Sequence, residues 1–131
     1  MKSKILFAAF LTATILTLLV ACGRSSDTTA TTASSYTVSM GATSFNVNSI
    51  TIPKGGTITF TTDQGGTAHN LVNGSSGQQH VEGGAPTFPS GGETVAPGQN
   101  WSTSPWTTAG TFHVTCTLHP TTMTLTVVVT G

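Results

Sequence analysis

The sequence predicts an all-β domain, a Greek-key β-sandwich or flattened barrel of about seven to eight strands. Charged residues make up only 6% of the 131-residue chain. Thr, Ser and Gly are abundant, and this mixture is poor in strong helix formers and rich in strand and turn formers. Short segments of alternating apolar and polar residues recur through residues 36–131 and are separated by turn signals. That spacing is typical of a two-sheet fold with few or no helices.

The predicted strands share a period of two, which places one face of each strand on a core. They lie at residues 36–40, 45–52, 57–60, 67–72, 95–106, 111–117 and 125–129. Residues 45–52 and 57–60 flank a Pro/Gly turn, and we expect them to form a strand pair. Residues 73–92 are rich in Gly, Pro, Ser and Gln. An unstructured loop of that length is uncommon in a compact domain, so we expect it to pack on the side of the barrel or form a short irregular element.

The N-terminal segment, residues 1–21, has the pattern of a signal peptide: two Lys residues, a long apolar run and a small residue before a cleavage point. Its end, Leu19-Val20-Ala21-Cys22, resembles the lipobox of bacterial lipoproteins, which implies a lipid anchor on Cys22. An uncleaved membrane anchor is the alternative. Residues 22–35 are then the lipidated Cys and a flexible Ser/Thr linker. Both interpretations place the domain, residues 36–131, outside the cytoplasmic membrane, on the periplasmic or cell-surface side.

The charges of the chain exclude one class of partner. Without residues 1–21 the chain keeps two basic residues, Arg24 and Lys54, and four acidic ones: Asp27, Asp63, Glu82 and Glu93. A slightly acidic protein with no basic patch has nothing to neutralise phosphates, so no nucleic-acid partner is expected.

The end of the strand at residues 111–117 carries the chemistry. Strand parity puts Cys116 on the same inward face as Phe112 and Val114, and it is the only thiol left in the domain once Cys22 carries lipid. His119 and Met123 follow in the connection to the last strand, and His69 begins an earlier one. A thiolate, a thioether and two imidazoles together suit copper in a trigonal His₂Cys site with a weak axial Met.

These segments resemble the cupredoxin family of plastocyanin, amicyanin and pseudoazurin over nearly all of residues 36–131. The resemblance is carried by Thr51-Ile-Pro-Lys-Gly-Gly-Thr-Ile-Thr-Phe60, His69-Asn70, Ala109-Gly-Thr-Phe-His-Val-Thr-Cys116 and His119-Pro120. It implies one type 1 copper ion held by His69, Cys116, His119 and Met123, with Asn70 tying the two ligand loops together. The spacing from His119 to Met123 has three intervening residues, where plastocyanin has four and amicyanin two.

The resemblance further implies a monomeric, blue copper, single-electron carrier rather than an enzyme, which docks transiently with redox proteins near His119. A copper storage or delivery protein with the same ligands is one alternative. A metal-free adhesion-type β-sandwich is another.

The remaining conspicuous side chains have simpler interpretations. Met40, Trp101 and Trp106 are expected in the core or at its edge, and His113 on the face opposite Cys116. Glu82 and Glu93 are expected as solvated loop charges. His80 lies in the segment 73–92 and is assigned no role.

Overall fold

The computed structural model describes residues 33–131. The predicted signal peptide at residues 1–21, the lipidated Cys22 and most of the linker at residues 22–35 lie outside the described residues. Among the described residues, no helix is long and apolar enough to cross a membrane.

Nine strands form in the described part of the chain, and they confirm the all-β prediction. In chain order they are β1 (Ser35–Met40), β2 (Ser49–Pro53), β3 (Thr57–Thr62), β4 (His69–Ser75), β5 (Gln78–Gln79), β6 (Glu93–Val95), β7 (Asn100–Ser102), β8 (Gly110–Cys116) and β9 (Thr124–Thr130).

The strands form two mixed sheets. In the smaller sheet β3 lies between β1, to which it is parallel, and β7, to which it is antiparallel. The larger sheet has the order β2-β9-β8-β4-β5, and β6 also pairs with β4. The alternation read from the sequence appears as burial: in β9, Leu125, Val127 and Val129 are buried while the residues between them are partly exposed. The core lies between the inward faces of the two sheets.

Two of the predicted strand assignments are wrong. Residues 45–52 and 57–60 do not form a strand pair, because β2 joins β9 and β3 joins β1, in different sheets. The turn at residues 53–56 therefore carries the chain from one sheet to the other, and Ile52 and Ile58 enter the same core from opposite sides.

Residues 95–106 likewise do not form one strand: Val95 ends β6, and only Asn100–Ser102 form β7. A turn closed by the Gln99 amide on the Ala96 carbonyl, at 3.0 Å, separates β6 from β7. Gly98 has a φ of 75° in this turn, a conformation that glycine adopts without steric cost. The Pro97-Gly98 pair was the signal for this break.

The segment 73–92 packs on the domain as expected. β4 continues to Ser75 and turns back through β5 as a short hairpin. Further along, Phe88 is buried and its ring lies 5.1 Å from that of Trp101. Trp106 is fully buried beside Phe112, which confirms its predicted place in the core.

Candidate metal centre

The four predicted ligands come from one end of the larger sheet. His69 begins β4 and Cys116 ends β8. The two strands are antiparallel neighbours, with Leu71 opposite Cys116. The start of β4 and the end of β8 therefore lie at the same end of the sheet. His119 and Met123 lie in the loop that connects β8 to β9, which is at this end of the sheet as well.

The donor atoms of His69, Cys116 and His119 all lie within 4.8 Å of one another. The Cys116 Sγ is 3.8 Å from Nδ1 of His69 and 3.6 Å from Nδ1 of His119. An ion bound at about 2.0 Å to nitrogen and about 2.3 Å to sulfur, with about 120° between the bonds, would separate the two donors by about 3.7 Å. Both observed distances match this value, so each histidine is spaced from Cys116 as a trigonal metal site requires.

Met123 lies next to this trio in the fold. Its side chain is fully buried in the same core cluster as Cys116. Both backbone polar groups of Met123 are hydrogen-bonded. Its carbonyl accepts the Cys116 amide at 3.0 Å, and its amide donates to the His119 carbonyl at 3.1 Å. The three-residue spacing after His119 is thus accommodated by a tight turn.

The matched family decides which metal this site belongs to. Residues 32–130 match the model of the copper binding proteins, plastocyanin/azurin family. The chain belongs to this family. The family consists of copper binding proteins, and the thiolate and imidazole donors of this site suit copper. Copper is therefore the cofactor of this cupredoxin. The comparison with curated protein sequences gave no match.

Solved amicyanins share the fold of this cupredoxin. The amicyanin of Paracoccus versutus (Thiobacillus versutus) has 20% sequence identity and a TM-score of 0.54, covering 73% of this chain and 81% of that one. A reduced amicyanin variant with a Trp-to-Tyr substitution has 23% identity and a TM-score of 0.54, covering 73% and 82%. At this identity the comparison concerns the two-sheet architecture alone.

The two imidazoles of the cupredoxin site differ in exposure. His69 is fully buried, whereas His119 is half-buried. Burial lowers the pKa of His69, the nearby charge of His119 lowers it further, and the backbone carbonyl of Gly41 partly offsets both effects. Nε2 of His69 meets no hydrogen-bond partner in residues 33–131. A lowered pKa keeps the ring neutral, which is the form that binds a metal.

Asn70 connects the two loops that carry the ligands. Its backbone carbonyl accepts the Thr117 amide at 2.9 Å, and its side-chain Nδ2 donates to Oγ1 of Thr117, also at 2.9 Å. The same Nδ2 lies 2.9 Å from the carbonyl of Gly91. The residue after His69 is therefore hydrogen-bonded to the residue after Cys116, and both are fixed to the segment before β6.

One side chain that supports the site was missed in the sequence. Thr115 lies on the outer face of β8, where strand parity predicts exposure, but it is fully buried and its hydroxyl donates to the Met123 carbonyl at 2.8 Å. The turn of the β4–β5 hairpin covers it, since the Gly77 amide donates to the Thr115 Oγ1 at 2.9 Å. The sequence offers no local signal for this contact, because 38 residues separate Gly77 from Thr115.

The expectation that Glu82 is a solvated loop charge is wrong. Its side chain is only 16% exposed. The carboxylate accepts the backbone amide of His113 at 2.6 Å and Nδ2 of Asn73 at 3.0 Å, and its other oxygen lies 2.7 Å from Nδ1 of His113. His113 is on the face opposite Cys116, as predicted, and is half-buried by this contact. His80 lies 3.5 Å from the same carboxylate.

Proposed function

We propose that this cupredoxin is an electron carrier that holds one type 1 copper ion through His69, Cys116, His119 and Met123. The observation that supports the proposal most directly is the placement of both Nδ1 atoms at 3.6 and 3.8 Å from the Cys116 Sγ. Bound copper would supply one-electron chemistry, since thiolate and thioether suit Cu(I) and imidazole suits either oxidation state.

The loop from Cys116 to Met123 is held by its own backbone. The His119 amide donates to the Cys116 carbonyl, and the His119 carbonyl accepts the Thr122 amide, each at 3.3 Å. The Thr122 hydroxyl also donates to the carbonyl of Thr43, in the loop after β1. A loop fixed at this many points resists rearrangement, which favours a site whose geometry changes little when an electron is gained or lost.

The surface around His119 supports transient docking of a redox partner. His119 is the half-buried ligand, and its neighbours Leu118 and Pro120 are exposed, Leu118 to 56%. The loop carries no Lys, Arg, Asp or Glu from Cys116 to Met123. A small, uncharged, partly apolar rim suits the small and short-lived interfaces of electron-transfer encounters. His119 is the proposed port through which the electron enters and leaves.

The burial of the other ligands supports a carrier and not an enzyme. His69, Cys116 and Met123 are fully buried, which leaves the half-buried His119 as the proposed ligand nearest to solvent. A copper ion held by all four proposed ligands would have no open coordination position for a reacting molecule.

We further propose that the domain is tethered outside the cytoplasmic membrane through lipid on Cys22. The chain between it and β1, residues 23–34, is composed mainly of Ser, Thr, Ala and Gly. A flexible chain of this length has a root-mean-square span of about 20 Å, which would let the domain reach partners near the membrane surface. Mass spectrometry tests this directly: a diacylated N-terminal Cys supports the tether, and an unmodified Cys22 in the membrane fraction contradicts it.

Electrochemistry of the copper-loaded protein tests the carrier proposal. We expect a reversible one-electron wave at a single potential and an oxidised form with an intense visible absorption band. Copper that binds only as Cu(I), stays colourless and cannot be reoxidised on the protein would instead indicate copper storage or delivery.

A further inference from the structure

Thr115 occupies an unusual place for a side chain on the outer face of a sheet. It precedes Cys116 in β8 and points away from the core, yet its exposed surface is 0%. The turn of the β4–β5 hairpin covers it. Gly77 in this turn has a φ of 72°, and a Cβ added to it would overlap Cα and Cβ of Pro120. The hairpin turn thus packs against both Thr115 and the loop that carries His119.

The hydroxyl of Thr115 has a complete set of hydrogen bonds. A hydroxyl offers one proton and two acceptor positions. The proton goes to the Met123 carbonyl, 2.8 Å away, because a carbonyl can only accept. The Gly77 amide donates to Oγ1 at 2.9 Å, and Oγ1 of Thr124 at 3.1 Å must then be the donor in the third contact. The orientation of this buried hydroxyl is therefore fixed.

The Met123 carbonyl is the point on which two neighbouring residues converge. It accepts both the hydroxyl of Thr115 at 2.8 Å and the backbone amide of Cys116 at 3.0 Å. The Met123 amide is held separately by the His119 carbonyl at 3.1 Å. Because its amide and its carbonyl are both hydrogen-bonded, the backbone of Met123 is held against the backbone of Cys116.

We propose that Thr115 is a positioning residue for the thioether of Met123, and that the β4–β5 turn supports it through Gly77. This inference rests on the proposed role of Met123 as the axial ligand. An axial thioether bond in such a site is long and weak, so small displacements of the Met backbone change its length readily and shift the potential of the metal. The Thr115 hydroxyl makes no hydrogen bond to a proposed ligand atom and acts through the carbonyl of Met123.

The test compares Thr115→Val, which removes the hydroxyl and keeps the shape, with Thr115→Ser, which keeps the hydroxyl. In the copper-loaded full chain, we expect Thr115→Val to shift the reduction potential and the relative intensities of the visible bands. Thr115→Ser should stay near the wild type in both. Thr126→Val, on the outer face of β9, is the matched control and should change neither.

A second readout needs no metal. In the metal-free chain, hydrogen exchange of the Gly77 amide should be roughly tenfold faster in Thr115→Val, because that amide loses its buried acceptor. It should be unchanged in Thr126→Val and Thr115→Ser. Unchanged exchange in Thr115→Val, or equal shifts of potential in Thr115→Val and Thr115→Ser, would overturn the inference.

Met123→Leu separates this inference from the proposed ligand set. A potential and spectrum unchanged in Met123→Leu would show that Met123 is not a ligand, and the inference would fail with that proposal. If Met123→Leu changes both while Thr115→Val matches the wild type, the ligand stands and the positioning role of Thr115 is wrong.

Discussion

The buried carboxylate of Glu82 provides a stability prediction that can be worked out from the structure. Beyond Asn73, which pairs with Val114, β4 leaves β8 to form the hairpin with β5. The His113 amide, which points to this gap, donates instead to Glu82 at 2.6 Å. Glu82 therefore takes the place of a missing strand neighbour.

Glu82→Gln keeps the size of the side chain but replaces one acceptor oxygen by an NH₂ group. The His113 amide and Nδ2 of Asn73 share one carboxylate oxygen, so in Gln both would donate to a neutral oxygen, and the NH₂ group that replaces the second oxygen cannot accept from Nδ1 of His113. Each hydrogen bond to a charged group contributes about 1.5 to 3 kcal/mol, and some of the loss is recovered by water at a side chain that is 16% exposed. We expect a loss of about 2 to 3 kcal/mol in the free energy of unfolding, or roughly 10 to 20 °C in Tm.

The loss should depend on pH. Burial by itself would raise the pKa of Glu82, but hydrogen bonds from the His113 side chain, the His113 backbone and Asn73, with the charge of His113, lower it below the usual 4.5. A carboxyl with a lower pKa in the folded state contributes stability that is complete above its unfolded pKa and is lost as pH falls through its folded pKa. The difference between wild type and Glu82→Gln should therefore be full at neutral pH and shrink below about 4.5.

Urea unfolding of the metal-free chain at several pH values measures this difference. Glu93→Gln is the matched control, because the Glu93 side chain makes no hydrogen bond to another described residue; its effect should stay within about 0.5 kcal/mol. Equal losses in the two variants, or a loss in Glu82→Gln that is the same at pH 7 and pH 3, would refute the role assigned to Glu82.

Two further substitutions test packing in the fold. Gly77→Ala should destabilise the protein more than Gly55→Ala, because both glycines have a positive φ but only Gly77 faces another residue, Pro120. Equal changes in Tm would contradict the packing of the hairpin turn. Thr103→Val should cost about 2 to 4 kcal/mol, since its Oγ1 accepts Nε1 of Trp106 at 3.0 Å and a backbone amide of β3 at 3.1 Å. Thr103→Ser should cost less than 1 kcal/mol in the same unfolding assay.

The parts of the fold that the sequence predicted are those with strong local patterns. Alternation identified β1, β8 and β9, and parity placed Cys116 on the buried face. The turn at residues 53–56 was recognised, but a local turn signal does not distinguish a hairpin from a crossing between two sheets. That choice depends on which distant strand each segment joins, and β2 joins a strand more than 70 residues away.

The support of the candidate site by Thr115, and the contact of Glu82 with His113, could not be predicted for the same reason. Glu82 and His113 are 31 residues apart, and Gly77 and Thr115 are 38 residues apart. A carboxylate in a Gly-rich segment is usually solvated, and a Thr on the outward parity of a strand is usually exposed. Only the tertiary path of residues 73–92 across the outer face of β8 reverses both expectations.

Copper titration of the wild type beside Cys116→Ser tests the central claim most directly. If Cys116, His69 and His119 hold copper as proposed, the oxidised wild type binds one equivalent and develops an intense visible band from thiolate-to-copper charge transfer. Cys116→Ser should lose that band and bind copper far more weakly. Equally weak binding by both proteins, with no intense band in either, would contradict the assignment of this cluster as a type 1 copper site.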